Sequence, residues 1–177
     1  ITHWGMAPFV ATLTTVNTPH RGCAYAEFLL DKAPEAVLQR IAAAYNAALK
    51  RLGDENPDCL AAVRDLTKSA CQRRNEELPD APDVVYESVM SYCEKADRSR
   101  FPLNVTYPLV RHFDGRNDGL VSVESARWGS RFTLLEPKGR RGISHGDVVD
   151  LNRENIPGFD VREFYVELAA RLKRRGY

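Results

Sequence analysis

The sequence predicts an α/β protein with a mostly parallel sheet and a helical insertion. Three observations carry this. Residues 9–16 (FVATLTTV) are β-branched and nearly continuously apolar, which is how a parallel strand buried on both faces reads. Residues 33–78 change to helical periodicity, and residues 84–92 return to strand composition. Strands separated by helices indicate a parallel sheet.

Taken in order, residues 1–5 read as the tail of a helix ended by Gly5. The first strand follows Pro8 and runs into Asn17-Thr18-Pro19-His20-Arg21-Gly22, a polar loop of turn residues. Loops at the C-terminal ends of strands are where ligands bind in α/β sheets. Residues 33–52 form a long helix. Pro34 suits its first turn, and Val37, Leu38, Ile41, Tyr45, Leu49 and Leu52 make one apolar face. Gly53 ends it. A second helix follows Pro57-Asp58, with Leu60, Val63, Leu66 and Ala70 on one side. Residues 76–83 break that pattern with turn acids and prolines. Residues 84–92 form the next strand, with Val84, Tyr86, Ser88 and Met90 on one face.

Residues 104–113 carry apolar side chains into a turn at 117–121, which is expected to follow a strand. Residues 132–135 (FTLL) form a short strand, and 137–142 a charged loop. The closing helix is well signalled. Asp160 is its N-cap, Glu163 stands three residues on, and Phe159 and Phe164 are placed as a hydrophobic staple. Val161, Tyr165, Leu168 and Leu172 are its expected buried face. Lys173, Arg174 and Arg175 sit where the helix dipole favours cations. Three or four strands are few beside the usual sheet of roughly five to six. The first would be an open edge unless earlier strands cover it.

Composition excludes several classes. The chain has 177 residues, 44% apolar and 28% charged, as in an ordinary soluble globular domain; a soluble protein is expected, with cytoplasmic and secreted both left open. A net charge of +1 gives no bulk reason to expect nucleic acid or a membrane surface. No apolar run is long enough for a transmembrane span. The basic stretch from Arg171 to Arg175 is explained by its place at a helix end, and no interleaved aromatics support nucleic-acid binding. Gly139 and Gly142 flank Arg140-Arg141 without the pattern of a phosphate loop. Cys23, Cys59, Cys71 and Cys93 are widely spaced with no CxxC pair, which argues against structural zinc. They read as buried free thiols, with one disulfide between Cys59 and Cys71 or Cys93 left open.

The residues with chemistry to offer are Asp118, in Asn117-Asp118-Gly119-Leu120-Val121, and His145, in Ser144-His145-Gly146-Asp147. A serine hydroxyl needs a base to take its proton, and neutral imidazole serves at physiological pH. A carboxylate on the other ring nitrogen fixes the tautomer and stabilises the imidazolium. Acid, then strand, then histidine is the order in which the α/β-hydrolase triad closes. The nucleophile is expected upstream in Gly-x-Ser-x-Gly, and this chain is read as holding no such motif.

These motifs resemble those of the bacterial triacylglycerol lipase family, of the α/β-hydrolase fold. The 117–121 turn is similar to the family's acid motif and 144–147 to its His-x-Asp motif. Thr15-Val16-Asn17-Thr18-Pro19-His20-Arg21-Gly22 resembles the strand-to-loop segment after the nucleophile helix. Asp65-Leu66-Thr67-Lys68-Ser69-Ala70, followed by Asn75, resembles the helix near the lid. Ala169-Ala170-Arg171-Leu172-Lys173 resembles the closing helix. The resemblance implies the C-terminal part of an α/β-hydrolase, with core at 1–32, a helical cap or lid at 33–83, and core again at 84–177. It implies Asp118 as triad acid and His145 as triad base, acting on an acyl ester or lipid. The serine and the oxyanion donors would lie in an N-terminal segment, since the sequence begins at Ile1, and without that segment the chain is expected to be inactive. No cofactor is required; calcium is possible at Asp147 with Asp97, by the family's pattern.

A second class of reading is a binding or assembly domain on a truncated hydrolase fold. Geometry separates the two. The enzyme needs Asp118 and His145 within hydrogen-bond reach and the imidazole facing an open cleft.

Overall fold

The computed structural model describes residues 1–95, 103–136, 138–151 and 153–177. Its frame is a three-stranded parallel sheet in the order β1 (Thr12–Val16), β2 (Val85–Met90), β3 (Arg131–Leu134). Thr12 is opposite Val85 and Val16 opposite Val89; Glu87 is opposite Arg131 and Met90 opposite Leu134. β1 and β2 are shorter than the runs that signal them, 9–16 and 84–92. Residues 7–9 are a 3-10 turn with Phe9 exposed, so β1 begins only at Thr12.

β2 is buried on both faces, as a central parallel strand should be. On one face Met90 joins Tyr92, Val121, Val123 and Ala126 in a core cluster, while Tyr86 joins Ala81 and Val84. The other face carries Glu87 and Val89 toward the C-terminal helix.

The helices between the strands are α1 (Ala24–Lys32), α2 (Glu35–Arg51), α3 (Cys59–Asp65) and α4 (Lys68–Glu77) before β2. After it come α5 (Leu103–Asp114) and the single turn α6 (Val123–Ala126), and α7 (Val161–Arg174) closes the chain. The continuous helix expected after Pro57-Asp58 is two helices. Thr67 breaks it, accepting from the Ala70 N–H as the N-cap of α4. Residues 104–113 are helical, not the strand expected ahead of the acid turn. Leu103, Tyr107 and Val110 are its buried face at helical spacing, and Pro108 sits within it. In α7, Asp160 caps the Arg162 and Glu163 N–H groups and Phe159 meets Phe164, as the sequence signals. Its expected buried face is only half-covered; Tyr165 is exposed at 40%.

Asp114 anchors the helical region to the core. One carboxylate oxygen accepts from the Ala24 N–H at the start of α1 at 2.9 Å, and the other pairs with Lys68 of α4 at 2.7 Å. Residues 23 and 67 also form a parallel bridge, so α1 and α4 are tied at their N-terminal ends.

Candidate active site

The site grows from the C-terminal ends of the strands, where parallel sheets gather ligand loops. Asn17 ends β1 in the left-handed region (φ 51°). Its side chain accepts from the Ser91 N–H at 2.9 Å and donates to the Ser91 hydroxyl at 2.8 Å, locking the ends of β1 and β2 together. The chain beyond β2 then lies between two loops. The Cys93 N–H donates to the Asn117 carbonyl at 2.8 Å, and the Ile143 N–H donates to the Tyr92 carbonyl at 2.9 Å. The acid turn and the histidine loop are thereby held on either side of one short segment.

Asn117 and Asp118 of the acid turn are fully buried. The Asn117 side chain accepts from the Gly119 N–H at 2.8 Å and donates to the Gly115 carbonyl at 2.9 Å. Gly119 takes φ 107°, a conformation that favours glycine. One Asp118 carboxylate oxygen accepts from the Leu120 and Val121 N–H groups at 2.9 and 2.8 Å. The other faces His145 Nδ1 at 2.8 Å. Asp118 is fully buried, while the His145 side chain is 35% exposed. Burial pushes the imidazole down, but the hydrogen bond and charge of Asp118 outweigh it and hold His145 above its ordinary value.

With Nδ1–H donating to Asp118, the tautomer leaves the lone pair on Nε2. His145 lines a cavity of about 580 Å³ whose other walls come from α1 (Tyr25, Leu29), α2 (Ile41, Ala44, Tyr45), α3 (Val63) and α5 (Val105, Leu109), together with Leu120 and Val121. These walls are mostly apolar, as small-ligand pockets are. The arrangement is an imidazole beside an apolar chamber, with a buried carboxylate on its Nδ1.

Comparison with solved structures bears on the fold. The mature form of Bacillus licheniformis lipase BlEst2 superposes with a TM-score of 0.52 at 19% identity, over 85% of this chain and 54% of that one. Its propeptide form gives 0.51 at 20%, over 85% of this chain and 29% of that one. The fold is lipase-like. The chain spans about half the length of mature BlEst2. No family model matches the sequence, and no curated protein does.

Within this lipase-like frame other candidate nucleophiles are poorly placed. Contrary to the expectation that the chain holds no such motif, one Gly-x-Ser-x-Gly string occurs, at Gly142-Ile143-Ser144-His145-Gly146. Its Ser144 is 2% exposed, is not among the residues lining the cavity, and stands next to the histidine instead of on a strand-to-helix elbow. Cys23 does line the cavity, but burial first, then Asp114, pushes its thiol up to about 12, so it is not a thiolate. All four cysteines are free; Cys23, Cys71 and Cys93 are buried and Cys59 is half-buried.

Asp147 is engaged within its own loop. Its carboxylate accepts from Arg141 at 2.7 and 3.2 Å and from the Ser144 N–H at 2.7 Å. Calcium takes six to eight oxygens. Here the carboxylate faces N–H donors, and no group of three His, Cys, Asp or Glu side chains able to hold a metal occurs among the described residues. This set fits a guanidinium and not a calcium ion. Asp97 lies outside the described residues.

His20 lies away from the cavity. It bonds the Thr15 hydroxyl at 2.8 Å and stacks on Trp128 at 4.2 Å. Among the described residues no helix is long and apolar enough to cross a membrane. Sequence reading missed Tyr25, Tyr107 and Arg141 as parts of the site. Only Arg141 left a signal, as a charge in a loop three residues before Ser144.

Proposed function

We propose that the protein is a carboxylic-ester hydrolase of the lipase or esterase type. His145 is the base, Asp118 orients it, and the acyl chain lies in the cavity beside α2 and α3. The observation that carries this is the Nδ1···Oδ2 pair at 2.8 Å with the imidazole opening on an apolar chamber. That geometry supports the enzyme reading over the binding-domain one.

In the proposed reaction a serine hydroxyl gives its proton to His145 Nε2 as its oxygen attacks the ester carbonyl carbon. The imidazolium then returns that proton to the leaving alkoxide, and the acyl group stays on the serine. Water repeats the sequence to free the acid. Serine and oxyanion donors are supplied by a segment upstream of these 177 residues, and this stretch alone is inactive. Residues 33–83 act as the cap, while 1–32 and 84–177 are core. Within the cap, α2 and α3 face the cavity.

The test is hydrolysis of p-nitrophenyl butyrate by the purified protein, its intact mass taken in parallel, and its loss in His145→Ala. The expected result is activity only in preparations that carry a segment beyond the 19.9 kDa of this chain, with a fall of at least roughly 10³-fold in the variant. Full activity in His145→Ala overturns the assignment.

A further inference from the structure

We propose that Arg141 is the built-in cation of the histidine loop. It is a positioning residue that holds Asp147, and through it the turn bearing His145, without help from a divalent metal. This rests on the reading of His145 as the base.

The contacts form one chain from the sheet to the imidazole. Arg141 belongs to the segment that continues the sheet's hydrogen bonding: its carbonyl accepts from the Glu94 N–H at 3.3 Å, and Gly142 bridges Cys93. Its guanidinium grips Asp147 with two prongs, 2.7 and 3.2 Å, and reaches Glu154 at 3.4 Å. Asp147 in turn accepts from the Ser144 N–H at 2.7 Å, and its own N–H donates to the Ser144 carbonyl at 3.1 Å. The next residue is His145, whose N–H donates to the Asp118 carbonyl at 2.9 Å.

Burial makes the cation necessary. The Asp147 side chain is 2% exposed and Arg141 16%. A carboxylate so buried needs a countercharge. A planar guanidinium supplies it in fork geometry, with further N–H donors left for a second carboxylate. A calcium ion would need oxygens where this loop places N–H groups.

The experiment uses the low-field proton NMR signal of the His145 Nδ1–H, together with thermal unfolding in EDTA and in calcium chloride. The unaltered protein should unfold at the same temperature in both. Arg141→Ala should unfold roughly 5 to 10 °C lower and lose the Nδ1–H signal. Guanidinium ion at tens of millimolar should restore the signal, and Arg141→Lys should keep part of it. A purely structural arginine would lower the unfolding temperature and leave the signal intact, which overturns the proposal. So does a saturable rise in unfolding temperature with calcium in the unaltered protein, a measurement that needs no variant to fold. Ester hydrolysis is not read in this experiment, so a failed esterase assay and a failed positioning role are told apart.

Discussion

His145 and Asp118 are joined twice, side chain to side chain through Nδ1 and Oδ2 at 2.8 Å and backbone to backbone from the His145 N–H to the Asp118 carbonyl at 2.9 Å. The second bond holds the two loops at the distance that the first requires. The rest of the neighbourhood repeats this arrangement. The Thr106 hydroxyl of α5 donates to the Gly119 carbonyl, and the Tyr107 hydroxyl donates to the Glu94 carbonyl at 3.1 Å.

Replacing Asp118 by Asn tests the electrostatic half of this link while leaving the backbone half. The amide no longer enforces the Nδ1–H tautomer, so hydrolysis should fall by roughly 10³- to 10⁴-fold. Burial then acts on His145 alone, and its NMR titration midpoint should drop below the ordinary 6.5. In the unaltered protein the midpoint lies above that value. Base activity should thus be lost as pH falls through the raised midpoint. The pair's contribution to stability runs the other way: complete below the unfolded-state value and lost as pH rises through the folded one. A variant midpoint above 6.5 contradicts the assigned cause.

His20 gives the opposite pH dependence. Burial, and secondarily Arg21, push it down to about 4. The unfolded chain then binds a proton that the folded chain refuses between about 6.5 and 4, and stability must fall as pH falls through that window. His20→Gln, which keeps a donor and acceptor near Thr15, should flatten the drop in unfolding temperature between pH 7 and 4.5. An unchanged drop would assign acid sensitivity to other groups.

Gly142 sets the histidine loop against the chain beyond β2. It takes φ 88°, and a Cβ there would lie 2.5 Å from Cys93 Cα and 2.6 Å from the Tyr92 carbonyl oxygen. Gly176 has a similar φ of 89° but open space around it, so it isolates the cost of the backbone conformation. Gly142→Ala should destabilise by roughly 2–4 kcal/mol and Gly176→Ala by about 1. Equal unfolding midpoints in urea would show that the loop yields without strain.

The acid turn and the histidine loop were legible because their chemistry is local. Asn-Asp-Gly brings its own hydrogen bonds and its own left-handed glycine, and Asp147 bonds back to Ser144 three residues away. The closing helix was legible for the same reason, with cap and staple within six residues. What was hidden depends on distant partners. The start of α1 has no capping side chain of its own; Asp114, 90 residues on, bonds its N–H. A strand is expected ahead of the acid turn, yet tertiary burial of Leu103, Tyr107 and Val110 makes residues 103–114 a helix even with Pro108 inside it. Arg141 reads as one more loop charge until the fold sets Asp147 and Glu154 against it.

Glu87 also escapes sequence reading, and its burial yields the last prediction. It stands in the middle of β2 at 1% exposure, clasped by Arg171 at 3.1 Å and by Arg175, both from the C-terminal end of α7. Removing one side of a buried ion pair leaves an unpaired charge, whereas replacing the charge by an apolar side chain of similar size is often near neutral. Arg171 and Arg175 are 21% and 34% exposed and can turn toward water; Glu87 cannot. The Arg171→Ala, Arg175→Ala double variant should therefore lose the most, roughly 3–5 kcal/mol in urea unfolding. Glu87→Ala should lose less, since it leaves a cavity but no buried charge, and Glu87→Leu least of all. If Glu87→Leu is the most damaging of the three, the clasp is what holds α7 on the sheet, and burial of the carboxylate is not the dominant cost.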